Sequence, residues 1–150
     1  MTNVVTPFPG VVLSLSDVPD PVFAGQLVGA GVAVQPDPTA DAVTVIAPVD
    51  GTLIKLHPHA FALEGTAGVN VLVHLGIDTV KMHGEGFELL ANEGDTVSAG
   101  TPIVRFSPAA VTAAGYSPIC PVVVLGAAPD SVPQGTVGAT VADGAVLYTR

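Results

Sequence analysis

Two histidines, His59 and His74, sit where an imidazole could act on a substrate rather than idle in solvent. His59 lies in His57-Pro58-His59-Ala60-Phe61, and His74 in Val69-Asn70-Val71-Leu72-Val73-His74-Leu75-Gly76. Side chains alternate along an extended strand, so Val69, Val71, Val73 and Leu75 share one face and Asn70, Leu72 and His74 the other. The imidazole of His74 therefore leaves the core for a face with some apolar cover, where a nucleophile is reachable but poorly hydrated. A second imidazole beside it can donate hydrogen bonds and, when protonated, offset negative charge that develops during reaction.

The elements that must position these rings read as strands. Val, Ile and Thr are plentiful, turn signals are closely spaced, and no long window shows helical periodicity. Two internal repeats are visible. Val5-Thr6-Pro7-Phe8-Pro9-Gly10-Val11-Val12-Leu13-Ser14-Leu15 matches Ile46-Ala47-Pro48-Val49-Asp50-Gly51-Thr52-Leu53-Ile54-Lys55-Leu56, each a strand, tight turn and strand. Gly94-Asp95-Thr96-Val97-Ser98-Ala99-Gly100 likewise matches Gly138-Ala139-Thr140-Val141-Ala142-Asp143-Gly144. Two copies are too few for a solenoid, so the expectation is all-β: a β-sandwich or barrel-sandwich hybrid of two duplicated motifs packed face to face, mainly antiparallel. Short helical turns are expected near Pro21 to Gln26 and across Pro108 to Ala114, the second ended by Gly115. Gln35 to Asp41, with two Pro and two Asp, reads as a loop.

Composition narrows the function. A chain of 150 residues with 49% hydrophobic content suits one domain, residues 1–150, with a real core. Its apolar runs are short and broken by 17 Gly and 14 Pro, so no span of the membrane is expected. The N-terminus has no basic region followed by an apolar stretch, which gives a cytoplasmic expectation. A formal charge of −9 opposes nucleic-acid binding and favours a partner with a basic patch. The single cysteine, Cys120, reads as a small buried hydrophobe.

Several segments together resemble the glucose-specific enzyme IIA family of the phosphoenolpyruvate-dependent sugar phosphotransferase system. They are Asp17-Val18-Pro19-Asp20-Pro21-Val22-Phe23-Ala24, Ala47-Pro48-Val49-Asp50-Gly51-Thr52, His59-Ala60-Phe61, Val73-His74-Leu75-Gly76-Ile77-Asp78-Thr79-Val80 and Gly84-Glu85-Gly86-Phe87. The pattern around His74 is long enough that chance would rarely produce it. The resemblance implies a β-sandwich of duplicated motifs, in agreement with the repeats.

By that resemblance, His74 takes a phosphoryl group from the histidine-containing phosphocarrier protein and passes it to a cysteine of an enzyme IIB domain, and His59 is its neighbour. Sugar specificity would then lie in the membrane permease. No cofactor is implied. Phe23, Leu27, Leu72 and Leu75 become candidates for an apolar apron on which a partner docks. Asp20 and Asp78 become candidates to meet a basic residue on the phosphocarrier. Family members also bind other proteins according to phosphorylation state, so regulatory targets join the implied partners. One departure stands just ahead of His59. The family often carries a longer segment there with a hydroxyl residue that helps orient the histidines, whereas this chain has only His57-Pro58-His59. His57 then either replaces that hydroxyl, with Asp78 as a second orienting group, or is a solvated turn residue; the latter is favoured.

Two other readings compete. His57-x-His59 with His74-x-x-x-Asp78 contains zinc-ligand types, as in a hydrolase, and His59 with His74 could capture Zn²⁺ incidentally or with a partner's carboxylate. The order of these motifs and the lack of a clear general base count against hydrolysis. Lys81 on an expected turn, with the Gly94 to Gly100 segment, suggests a biotinyl or lipoyl carrier instead, but Val80 replaces the Met usual before that lysine. His83 reads as an exposed loop residue.

Overall fold

A computed structural model describes residues 1–150. In chain order its strands are β1 (Asn3–Val5), β2 (Gly10–Leu13), β3 (Gly29–Gln35), β4 (Val43–Ile46), β5 (Gly51–His57), β6 (Ala60–Gly65), β7 (Asn70–His74), β8 (Phe87–Leu89), β9 (Thr96–Val97), β10 (Pro102–Phe106), β11 (Cys120–Leu125), β12 (Thr140–Val141) and β13 (Val146–Thr149). They form three sheets: eight strands in the order β12-β2-β3-β11-β7-β6-β5-β9, three in the order β4-β10-β8, and the pair β1-β13. Every pairing is antiparallel, as the sequence led one to expect.

The duplication is written into the hydrogen bonds. Val5 N–H donates to the Pro48 carbonyl at 3.0 Å, and the matching Ile46 N–H donates to Pro7 at 2.9 Å. Thr6 N–H reaches the Ala145 carbonyl at 2.7 Å, and its counterpart Ala47 reaches Thr101 at 2.8 Å. Likewise β2 is edged by β12 and β5 by β9, so each first-repeat strand pairs with a second-repeat strand. The two motifs also meet inside the large sheet, where β7 lies beside β11 with Leu72 opposite Val123.

The main core fills one side of that sheet. Phe8, Leu53, Phe61, Leu63, Leu75, Ile103, Phe106 and Leu147 are fully buried there. Each large side chain removed from water contributes about 1.5–3 kcal/mol. A smaller cluster of Leu15, Val18, Phe23, Ala33, Ile77, Ile119 and Val123 covers part of the opposite side, with Leu72 packed against it. This second cluster carries the candidate site.

Both expected helices are present and short. α1 (Pro21–Ala24) begins with Asp20, whose carboxylate accepts the Val22 N–H at 2.8 Å, and ends at Gly25. α2 (Pro108–Ala113) is capped by Ser107, which accepts from Ala110 at 3.0 Å, and Gly115 follows at φ +90°. Two 3-10 turns, Leu15–Asp17 and Thr79–Met82, were not expected. Segments that short have no periodicity to reveal them. The loop read over Gln35 to Asp41 separates β3 from β4, except that Gln35 itself ends β3. No helix is long and apolar enough to cross a membrane.

Candidate functional site

His74 ends β7, and the alternation read from sequence is observed: Val71 and Val73 are buried in the main core while Asn70, Leu72 and His74 are half-buried on the other face. Ala60 and Ala62 of β6 lie opposite His74 and Leu72. Methyl side chains there leave room for the imidazole to lie against the sheet. Phe23 packs on His74 with ring centroids 5.2 Å apart at 59°. The aromatic wall that α1 supplies thus takes water from one side of the imidazole.

His59 is in the two-residue turn between β5 and β6, closed by the pair His57 and Ala60. Its ring meets the His74 ring edge-on, with centroids 5.4 Å apart at 68°. The His59 carbonyl accepts the Leu75 N–H at 2.7 Å, tying the turn to the end of β7. The two imidazoles therefore converge, as expected, and both remain half-buried.

The segment after His74 fixes its tautomer. Nδ1–H of His74 donates to the Gly76 carbonyl at 2.5 Å. The bond leaves Nε2 as the nitrogen with the free lone pair. Gly76 adopts φ +79°, and a Cβ there would come within 2.6 Å of Thr79 Cγ2 and 2.9 Å of the Ser117 carbonyl. Only glycine turns the chain this sharply in this space. Thr79, itself buried, donates its hydroxyl to the Leu75 carbonyl at 2.7 Å, and Ile77 N–H reaches Ser117 at 2.9 Å. Gly76 and Thr79 acquire no role from sequence chemistry; the Gly-apolar-Asp-Thr spacing after a strand was the available signal.

Burial disfavours the charged form of both rings. Burial pushes the His74 imidazole below its ordinary value, and the Gly76 carbonyl, Asp20 and Asp78 pull upward without reversing it. His59 is lowered too, first by burial and then by its neighbours His74 and His57. The shift favours the neutral form of His74, in which the Nε2 lone pair is available.

The remaining expected residues divide. Leu27 is 76% exposed and Leu72 lies half-buried at the site, so both can meet a partner. Leu75 cannot: it is 0% exposed in the main core, and its place in the apron is corrected. Strand parity explains this, because Leu75 falls on the same face as Val71 and Val73. Phe23 is also buried, and it acts as a wall against His74 rather than as free docking surface. Sequence reading missed Val22 and Val80, exposed apolar residues on the two short helical segments that flank the site. Asp20 is occupied by its helix cap, whereas Asp78, in a left-handed conformation at φ 61°, is exposed and makes no capping bond. His57 is exposed and stacks on His59 with centroids 5.6 Å apart at 19°.

The rival chemistries find less support. His57, His59, His74 and Asp78 do not gather three or more donors into a metal-holding group. Lys81 belongs to a 3-10 helix, not to the tip of a hairpin. A cleft of about 520 Å³ is lined by Lys81, Met82, His83, Glu85, Ala110 and Tyr116 among others, and neither His59 nor His74 lines it. His83 is exposed, as read. Cys120 is wholly buried, its thiol pushed up to about 12, and has the inert character expected of it.

Residues 2–128 match the family described as the phosphoenolpyruvate-dependent sugar phosphotransferase system, EIIA 1. The chain belongs to that EIIA family. It is 38% identical over 144 residues to the PTS system glucose-specific EIIA component of Bacillus anthracis, covering 95% of this chain and 85% of that protein. A protein of the same description from Bacillus cereus is 40% identical over 124 residues, covering 81% and 73%. Among solved structures, glucose permease IIA from Mycoplasma capricolum superposes with a TM-score of 0.84 at 29% identity, over 97% of this chain and 93% of that one. The EIIA chain is accordingly a phosphocarrier component of a sugar phosphotransferase system. The family assignment also removes the hydrolase and biotinyl or lipoyl readings from contention.

Proposed function

We propose that Nε2 of His74 accepts a phosphoryl group from the histidine-containing phosphocarrier protein and passes it to a cysteine of an enzyme IIB domain. The observation that carries this reading is the bond from Nδ1–H to the Gly76 carbonyl, which leaves Nε2 as the sole lone-pair nitrogen of a ring centred 5.4 Å from a second imidazole. In the first step the Nε2 lone pair forms a bond to phosphorus while the donor's N–P bond breaks and its electron pair returns to the donor nitrogen. In the second, a cysteine thiolate attacks phosphorus and the Nε2–P electron pair returns to His74. His59 donates a hydrogen bond to the phosphoryl oxygens, and in its protonated form offsets their charge. The dianionic phosphoryl group itself favours that protonation, opposing the lowering that burial causes at His59.

Docking would use the exposed apolar residues Val22, Leu27 and Val80, with Leu72 at the margin, and the acids Asp20 and Asp78 would guide a basic partner. Water excluded by such a partner cannot hydrolyse the phosphohistidine. The reading needs no cofactor, treats residues 1–150 as one EIIA domain, and puts the relay in the cytoplasm. Its test is incubation with phosphoenolpyruvate, enzyme I and the phosphocarrier protein. One acid-labile, base-stable phosphoryl per chain is expected, and none in His74→Gln. His59→Gln should accept phosphate but pass it on poorly. Labelling of His74→Gln at the wild-type level would end the reading.

A further inference from the structure

We propose that His57 is a positioning residue which holds the ring plane of His59 by stacking on it, so that His59 keeps its steep angle to the His74 ring; the inference rests on the phosphoryl-transfer reading above. His57 and His59 are near parallel at 19° with centroids 5.6 Å apart, whereas His59 and His74 meet at 68°. The His59 ring thus has two imidazole neighbours, His57 near parallel to it and His74 steeply inclined. Offset stacking over such distances is a preferred aromatic arrangement. Without it, a half-exposed imidazole at the tip of a hairpin would be free to sample several rotamers.

The hairpin makes this neighbour unavoidable. Only Pro58 and His59 separate β5 from β6, and Pro58 has its φ fixed by its own ring. Gly84 comes close beneath the tip, where a Cβ on it would touch Pro58 Cγ at 3.5 Å. The carbonyl of His59 is held by Leu75 N–H. Backbone contacts therefore fix where His59 begins, but no side-chain hydrogen bond fixes where its ring points; the His57 face supplies that constraint. A solvated turn residue, the reading favoured from sequence, would have no reason to lie parallel to its neighbour.

The test compares His57→Ala with His57→Phe in the full chain. Nuclear Overhauser contacts between the ring protons of His59 and His74 should weaken in His57→Ala and persist in His57→Phe. The rate of transfer from the phosphorylated protein to a IIB domain should fall about two- to tenfold in His57→Ala, the scale of one lost aromatic stack, with KM unchanged and with recovery in His57→Phe. Wild-type ring contacts and transfer rate in His57→Ala would overturn the inference, as would a His57→Phe variant that folds normally yet is as impaired as His57→Ala. Failure of the wild-type protein to take phosphate on His74 would instead defeat the functional reading, and the ring contacts would still decide the role of His57.

Discussion

The backbone N–H of Leu75 donates to the carbonyl of His59 at 2.7 Å, so the residue that follows one imidazole in the chain holds the turn that carries the other. The separation of the two backbone segments that carry the rings is thereby set by main chain, which moves little when either side chain is replaced. Substitutions at His59 or His74 should for this reason report on chemistry more than on fold.

Gly76→Ala tests the support beneath His74. The new methyl meets Thr79 and Ser117 and forces a left-handed conformation on a residue that disfavours it. Destabilisation of about 1–3 kcal/mol is expected in denaturant melts, together with slower phosphorylation of the fraction that remains folded. Unaltered phosphorylation kinetics would show that the Gly76 carbonyl does not orient the ring.

Stability should depend on pH through the two lowered imidazoles. Below the ordinary histidine value of 6.5 the unfolded chain takes up protons that folded His59 and His74 still refuse. Their contribution is complete above that value and is lost as pH falls through it toward the folded values. Urea melts from pH 7.5 to 5.5 should show a decline in wild type that is shallower in the double variant His59→Gln, His74→Gln; equal slopes would refute this.

Phe23→Ala opens the wall against His74. Loss of a buried phenylalanine costs about 3 kcal/mol, toward the lower end of the usual range because the second cluster is small. Less burial also lets the His74 pKa rise toward its ordinary value, which ring-proton NMR titration would read directly. A further fall would contradict burial as the leading cause.

Asp20→Asn separates charge from capping. Asparagine caps helices about as well as aspartate, so stability should change by no more than about 0.5 kcal/mol. The His74 pKa should fall further, since one of the carboxylates that raise it is gone. The Michaelis constant for the phosphocarrier protein should rise if Asp20 also guides docking.

Leu27→Asp probes the apron without touching the core. At 76% exposure the leucine contributes little to folding, and the melting temperature should hold. Weaker use of the phosphocarrier protein, seen as a raised KM with little change in the single-turnover rate at saturation, is the expected outcome. An unchanged KM would place the docking surface elsewhere.

Much of this architecture was legible in the chain because it rests on periodicity. The period of two along Val69 to Leu75 assigned His74 to its face, and it also assigned Leu75 to the core, so placing Leu75 in the apron went against the strand's own pattern. The Pro-Gly spacing disclosed the duplicated turns. What stayed hidden depends on contacts between distant segments or on backbone atoms. No side-chain pattern announces that the Gly76 carbonyl will receive Nδ1–H, or that Thr79 will bond back to Leu75. Nor does any pattern show that the short helical segments turn Val22 and Val80 outward.

The mutual bonds between Val5 and Pro48 and between Ile46 and Pro7, together with those from Thr6 to Ala145 and Ala47 to Thr101, bear on how the molecule is made. Neither repeat can finish its own turn without backbone partners from the other and from segments far along the chain, Ala145 for the first and Thr101 for the second. A growing chain must therefore extend past Thr101 before the second turn can close and past Ala145 before the first can, and unfolding should then be a single cooperative event. Fragments expressed apart are expected to remain unstructured until mixed.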